Sequence, residues 1–343
     1  MIKPLLLPLR SILLDTESFG DVEILNVWNY DLDNQSTNNQ IVNISTDGQR
    51  LTFDALKSGN ATITVRVNED ANYEQSTTKT IYIQSYNSST LDDYSPNNIY
   101  HISGYGIAPN LFKVGDVTAD IPMSGQISAG GTKLSSNYRA VILGFNHNPS
   151  IEGNNTIHFA LGRHTNGTDI DFIDNNYGGM ATSGWYTQHK KASTASNSGG
   201  WNSSGIRQYV LPKFLNAMPS EWQNVIRACT KYTDNTGGTS GSASNMTTTS
   251  DSLWLLSQYE VVGSTSTGNN NAAEATYQMQ YDYYKSRNGV RYKHNSTSTM
   301  CKWWFRTPST NNAKAYRTYR SSTSVAAGRE ANYCYGIVPC FVI

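Results

Sequence analysis

The chain has 343 residues, enough for about two or three domains that each bury a core. Charged residues make up only 15%, against a usual share of about a quarter, and Lys+Arg balance Asp+Glu at 26 each. With no net charge to neutralise phosphates and no apolar run near the ~18 residues of a membrane span, neither nucleic-acid binding nor membrane insertion is expected.

The charge deficit is filled by Asn, Ser, Thr, 27 Gly and 22 Tyr. Such a surface is neutral, hydrogen-bonding and aromatic, and suits extracellular β-rich proteins, virion fibres and glycan binders better than cytosolic metabolic enzymes. Residues 1–10 read as an apolar arm. Pro4 and Pro8 interrupt them, Arg10 ends the run and no small-residue cleavage site follows, so they are not read as a secretion signal. Residues 11–85 carry short β-branched segments, Gln40–Ile44, Arg50–Phe53, Ala61–Val67 and Ile81–Ile83, separated by turn residues at Asp47-Gly48 and Ser58-Gly59-Asn60. This spacing predicts a β-sandwich. The run Leu56, Gly59, Ala61, Ile63, Thr64, Val65 resembles the turn-and-strand signature of bacterial immunoglobulin-like domains, which implies a spacer or adhesion module. Residues 86–98 are polar and aperiodic and read as a linker.

From residue 99 to 343 the pattern is mixed. Asn110–Asp116 suggests a strand entering a turn, and Tyr138–Phe145 and Thr156–Gly162 read as buried strands. A helix capped by Ser203 or Ser204 carries Ile206 and Val210 until Pro212 breaks or kinks it. Ser220 with Gln223 forms a capping-box pattern ahead of Trp222, Val225, Ile226 and Cys229, which predicts a second helix. Residues 232–250 read as loop and Asp251–Val261 as a strand leading into a turn. Asn271 with Glu274 predicts a third helix with Tyr277, Tyr281 and Tyr284 along one side. Trp303-Trp304-Phe305-Arg306 is a core strand ended by Pro308. Adjacent tryptophans point to opposite faces, so one ring is expected in the core while its neighbour covers another surface or a groove. Tyr335–Ile343 closes the chain as a strand.

Four segments fall in a recognisable order: Trp201-x-x-Ser204-x-Ile206-Arg207, Leu255-Leu256-Ser257-x-x-Glu260, Trp303-Trp304-Phe305-Arg306-Thr307-Pro308, and Gly336-Ile337-Val338-Pro339. Together they resemble a domain common in gut bacteria and their phages, with the signature W-x-x-S-x-L-R, L-L-S-x-x-E, W-W-L-R-S-P and G-V-R-P. That domain is similar to the C-type-lectin-like fold shared by formylglycine-generating enzymes and variable phage adhesins. Val338 stands where the family has arginine, and Phe305 and Thr307 replace Leu and Ser. Trp201, Ser204, Arg207, Glu260, Trp303, Trp304 and Arg306 are expected to be structural core residues. The expected architecture is therefore an N-terminal all-β Ig-like sandwich followed by a C-terminal α+β C-type-lectin-like domain.

Catalytic and metal signals are weak. Cys229, Cys301, Cys334 and Cys340 form no C-x-x-C pair and read as buried thiols, and they follow no redox pattern of the formylglycine-generating enzymes. The carboxylates of Asp169–Asp174 lack the glycine and distal glutamate of a calcium loop. His147, His158, His164 and His189 lack zinc-site spacing, and Asp251, Glu260 and Glu274 read as caps. Neither cofactor nor metal is expected. The candidate ligand face comprises Asn311, Asn312, Tyr316, Arg317, Tyr319, Arg320, Arg329, Asn332 and Tyr333, residue types that binding loops favour. The resemblance implies a non-enzymatic phage virion protein, a homo-oligomer such as a trimer among other virion subunits, whose head binds a host-surface glycan or protein. A secreted or surface-attached bacterial adhesin of the same domain type, a purely architectural virion subunit and a relative of the formylglycine-generating oxidases are the alternatives. The absence of a signal in residues 1–10 favours the virion over the cell surface.

Overall fold

The computed structural model describes residues 5–8, 12–15, 22–31, 41–46, 50–55, 59–67, 79–86, 90–128, 133–165, 168–170, 177–180, 184–191, 195–263, 273–286, 293–294, 300–321 and 324–343. The architecture is mixed α/β with mostly strands. The chain forms two compact units, Met1–Ser89 and Thr90–Ile343.

The described residues of the first unit form two sheets. One has the order Leu5–Pro8, Lys79–Tyr86, Gly59–Val67, Val22–Asp31; the other runs Ile12–Asp15, Arg50–Ala55, Val42–Thr46. Along Gly59–Val67 the side chains of Ala61, Ile63 and Val65 are buried while Thr62 and Thr64 are half-exposed. That period of two is what a one-sided strand requires. Part of the expected apolar arm is the strand Leu5–Pro8, which pairs in parallel with Lys79–Tyr86 at the sheet edge, where a proline is tolerated.

The second unit begins inside the expected linker. Leu91–Asp93 is a 3-10 turn, and Pro96–Gly104 is a helix with Ser95 as its N-cap. The Asn98 amide donates to Ser95 Oγ at 3.2 Å, and Pro96 sits where its missing N–H costs nothing. Ile99 and Ile102 bury one face of this helix. Asn110 lies in the short helix Ala108–Leu111, not in a strand.

The main sheet has Lys133–Phe145 and Ile157–Thr165 at its centre, joined through the short helix Pro149–Glu152. The closing strand Cys340–Val342 pairs with His158–Ala160, and Ile157 and Ile343 exchange backbone hydrogen bonds at 3.0 and 3.1 Å. A second sheet of three antiparallel strands runs Trp303–Pro308, Ala315–Ser321, Ser324–Glu330. Cys229–Asp234 pairs with Met246–Asp251 as a third.

Two expected helices are shorter than their apolar spacing predicts. The second stops at Gln223, and Cys229 opens a strand. Its β-branched, alternating continuation Cys229-Thr-Lys-Tyr-Thr-Asp finds a partner strand in residues 246–251, within the expected loop. The third is split into Glu274–Tyr277 and Asp282–Ser286; the proposed cap Asn271 lies outside the described residues. Residues 206–216 run as a π-helical turn, Ile206–Val210, continued by the α-helix Leu211–Asn216, with Pro212 in the α-helix's first turn. Pro212 thus starts a segment rather than ending one.

Candidate functional site

All six residues of Trp303–Pro308 are buried, and neither tryptophan covers a surface or a groove. The strand has neighbours on both edges. Trp303 and Trp304 pair with Tyr319 and Thr318 on one side; on the other, the Trp304 amide donates to Gly336 O and the Arg306 amide to Leu256 O. The Trp304 indole N–H donates to Thr187 O at 3.0 Å, which satisfies its one donor inside the core.

Arg306 is the polar centre of this strand. Its guanidinium forms a fork on Glu260, Nη1 to Oε2 at 2.6 Å and Nη2 to Oε1 at 3.0 Å, and also donates to Leu255 O. Glu260 is positioned by its own helix, Gln258–Val262. Ser257 caps that helix and Glu260 bonds back to the Ser257 amide at 2.9 Å, a complete capping box. Gly263 ends it in the left-handed region at φ 69, which favours glycine. Burial disfavours the charge on Glu260, but Arg306 and Lys231 outweigh it and hold the carboxyl far below the usual range.

Lys231 extends the network. Its ammonium reaches Glu152 Oε1 at 2.8 Å, Tyr281 Oη at 2.9 Å and Glu260 Oε1 at 3.2 Å, all buried. Burial works against its charge, yet the two carboxylates raise its pKa. Beyond Glu152 stand His147, with Nδ1 at 2.8 Å from Oε2, and His158, with Nδ1 at 3.7 Å from the same oxygen. Below Arg306, Glu274 accepts from Thr307 Oγ1 at 2.6 Å and the Tyr259 amide at 3.2 Å, and burial pushes it up to about 7. Glu274 is thus a buried acceptor and not the expected cap. Glu260 is both cap and ion-pair partner.

The Trp201 motif closes on Asp251 in the same manner. Trp201 Nε1 donates to Oδ2 at 3.1 Å and Arg207 Nε to Oδ1 at 2.7 Å. Ser204 Oγ meets His189 Nδ1 at 2.8 Å. Trp201, Ser204, Glu260, Trp303, Trp304 and Arg306 are buried, while Arg207 is half-buried and reaches the buried Asp251 from the surface. The four cysteines are buried, and burial pushes the Cys229 thiol up to about 12, which keeps it unreactive at neutral pH.

The nine candidate ligand residues separate into different environments. Ala315–Ser321 and Ser324–Glu330 are two strands of the second sheet, not a loop, and the inward side chains of residues 315–319 join the core. Tyr316 is fully buried, stacked on His189 at 3.7 Å and donating to Gly200 O at 2.7 Å. Arg317 is buried with Nε on Gln258 Oε1, Tyr319 is buried against Trp303, and Asn332 is buried beside Met180. These four form no exposed face. Asn311 and Asn312 are exposed in the turn, and Arg329 and Tyr333 are half-buried, Tyr333 stacking on Tyr335. The Arg320 side chain lies outside the described residues, as does Asp169–Asp174 beyond Ile170.

An accessible aromatic feature lies elsewhere. Tyr209, 43% exposed on the π-helical turn, stacks on Trp185 with ring centroids 4.4 Å apart and planes at 11°. The indole lies directly on the backbone of Gly205, where an added Cβ would stand 1.9 Å from a Trp185 ring atom. Only glycine permits that approach. Asn202 and Gln208 are exposed nearby, with Gln208 Nε2 bonded to Asn202 O. A lone aromatic pair more than twenty residues apart carries no periodic signal, so sequence reasoning passes over it. No helix among the described residues is long and apolar enough to cross a membrane.

No curated protein and no solved structure matches the chain. Residues 172–343, half of the chain, match the family model described as "Domain of unknown function (DUF6273)". Each of the four motif segments lies inside those residues, and with them the buried linkages through Asp251, Glu260 and Arg306; the chain belongs to the DUF6273 family.

Proposed function

We propose that the chain is a non-enzymatic adhesive protein of a phage virion, with residues 11–85 an Ig-like spacer and residues 99–343 a C-type-lectin-like head that binds a host-surface glycan or protein. The observation that carries this reading is the rigid aromatic pair Trp185–Tyr209. Tyr209 presents a large ring at the surface, already held parallel to an indole that is itself seated on Gly205. Ordering that ring on binding therefore costs little side-chain entropy, and an aromatic face flanked by amides suits ligands recognised by stacking and hydrogen bonds. Arg306, Glu260, Lys231 and Glu152 are paired with one another inside the core, which supports a structural role for that network over acid–base chemistry. On this reading the binding face is at Tyr209 and Trp185 and not at Tyr316 and Tyr319, whose rings are buried.

The test is binding of the full chain to intact candidate host cells, with Tyr209→Ala as the variant. Tyr209 makes a surface contact, so the variant keeps its melting temperature within a few degrees; saturable binding falls at least tenfold. Binding unchanged in Tyr209→Ala overturns the placement of the face, and no binding by the native chain to any plausible host overturns the adhesive reading.

A further inference from the structure

We propose that Tyr177, Met180, Tyr333 and Tyr335, with Lys302 and Arg329 beside them, form a second surface site that binds carboxylate-bearing sugar residues of an acidic polysaccharide. The site is separate from the Tyr209 ring and does not rest on it.

Backbone pairing sets the aromatic row. The Gly178 amide donates to Cys334 O at 2.8 Å, the Cys334 amide donates to Gly179 O at 2.9 Å, and Met180 forms an antiparallel bridge with Tyr333. Directly opposed residues share a face, and so do residues two apart along an extended segment. Met180, Tyr333 and Tyr335 therefore stand together. The Tyr333 and Tyr335 rings lie within 9° of parallel with centroids 6.2 Å apart, and Tyr177 meets Tyr335 edge-on at 5.9 Å. The Tyr177 hydroxyl accepts from the Lys302 amide at 2.8 Å, which fixes that ring. At 55% exposed, Met180 is the most exposed large apolar side chain among the described residues, and Tyr177 and Tyr333 are half-buried. The apolar surface is thus held in place before any ligand arrives, which keeps the entropy cost of binding low.

Two cations stand at this surface. Lys302 Nζ lies 5.2 Å above the centre of the Tyr335 ring. Arg329 ends its strand one residue before Glu330, and the Tyr333 amide donates to Glu330 O at 3.1 Å, so the chain turns back beside it. Burial raises the pKa of the Tyr335 hydroxyl, and the nearby charge of Arg329 acts against that rise. Arg207 and Arg306 are each set on a carboxylate. Arg329 differs: its buried Nε finds no acceptor, and among the described residues its guanidinium has no ion pair.

The ligand follows from this combination. Aromatic faces take the C–H face of a pyranose, and a guanidinium matches the two oxygens of a carboxylate. A neutral glycan would cover the Arg329 charge without pairing it, which costs free energy. Two cations in a chain of zero net charge are too few to follow a phosphate backbone, so the rings fit sugars and not nucleic-acid bases.

The full chain is titrated calorimetrically with tetragalacturonate, with its methyl-esterified form, and with a sialic acid tetramer. The expected result is saturable binding of the acidic oligomers that weakens as salt is raised, and roughly tenfold weaker binding of the ester. Arg329→Gln, at a side chain without an ion pair, keeps the melting temperature and loses that tenfold preference for the acid over the ester. Tyr333→Ala weakens both forms, and Tyr209→Ala changes neither. Equal affinity of the native chain for acid and ester overturns the proposal, as does an acid preference retained in a folded Arg329→Gln chain. Loss of acid binding in Tyr209→Ala would move the sugar to the other face and overturn it too. So would the absence of saturable binding of either acidic oligomer.

Discussion

Glu274 shows how strongly a single buried group can make this fold sensitive to pH. Two donors, Thr307 Oγ1 and the Tyr259 amide, favour its carboxylate, yet burial outweighs them and lifts it from an ordinary 4.5 to about 7. The folded chain therefore holds this proton more tightly than the unfolded chain. Its contribution to stability is complete below about pH 4.5 and is lost as pH rises through 7. The gap between 4.5 and about 7 corresponds to on the order of 3 kcal/mol. Glu260, held low by Arg306 and Lys231, acts in the opposite direction: its contribution is complete above the ordinary value of 4.5 and is lost progressively as pH falls below it. Urea unfolding of the full chain between pH 5 and 8 should show stability of the second unit declining toward pH 8, with the slope flattened in Glu274→Gln. An unchanged slope in that variant would exclude Glu274 as its source.

Between elements, the fork of Arg306 on Glu260 joins the strand Trp303–Pro308 to the capped helix Gln258–Val262, so two segments distant in sequence share one polar contact. Removing one partner of a buried pair strands the other charge, which typically costs about 3–5 kcal/mol. Arg306→Met should lower the unfolding free energy by that amount, and Arg306→Met combined with Glu260→Met should recover part of it in a denaturant titration. A double variant no better than the single would mean that Lys231, left facing one carboxylate fewer, dominates. The strand and its arginine are legible in the sequence because a dense aromatic run ended by proline admits few alternatives. The burial of both tryptophans is not, since it depends on Gly336 and Leu256 arriving on the second edge. The helix expected over residues 220–229 illustrates the converse, since it stops at Gln223. Its 3.6-residue spacing is genuine, but Lys231 must face Glu152, which lies 79 residues earlier, and the chain turns to strand to place it there. Glu260 reads as a cap in the sequence, but the helix it caps, Gln258–Val262, lies inside a run that reads equally well as a strand. The Trp185–Tyr209 pair and the His147–Glu152–His158 cluster are contacts of tertiary structure, without a local pattern to announce them.

For the whole molecule, the division at Ser89 and Thr90 sets where the chain can be cut. A fragment starting at residue 98 removes Ser95 and Pro96 and with them the start of the helix that buries Ile99 and Ile102. A fragment of residues 90–343 should melt at the temperature of the second unit in the full chain, whereas 98–343 should melt lower, since loss of an N-cap alone typically costs about 1 kcal/mol. Equal melting temperatures for the two fragments would show that the helix contributes little. The composition indicates a neutral, β-rich chain, and the periodic segments locate most strands of the first unit. The second unit's topology is harder to read, because its central pairings join residues far apart.

Ser103 donates to the carbonyl of Ile343 at 2.8 Å across 240 residues of chain, and Cys340–Val342 fills the place beside His158–Ala160. During synthesis that place stays open until the closing segment emerges, so for most of translation the sheet presents an unsatisfied edge lined by Phe159 and its neighbours. The first unit pairs its strands over much shorter stretches and can fold early. The second waits, and its yield in a cell is governed less by its final stability than by how well that edge is shielded in the interval.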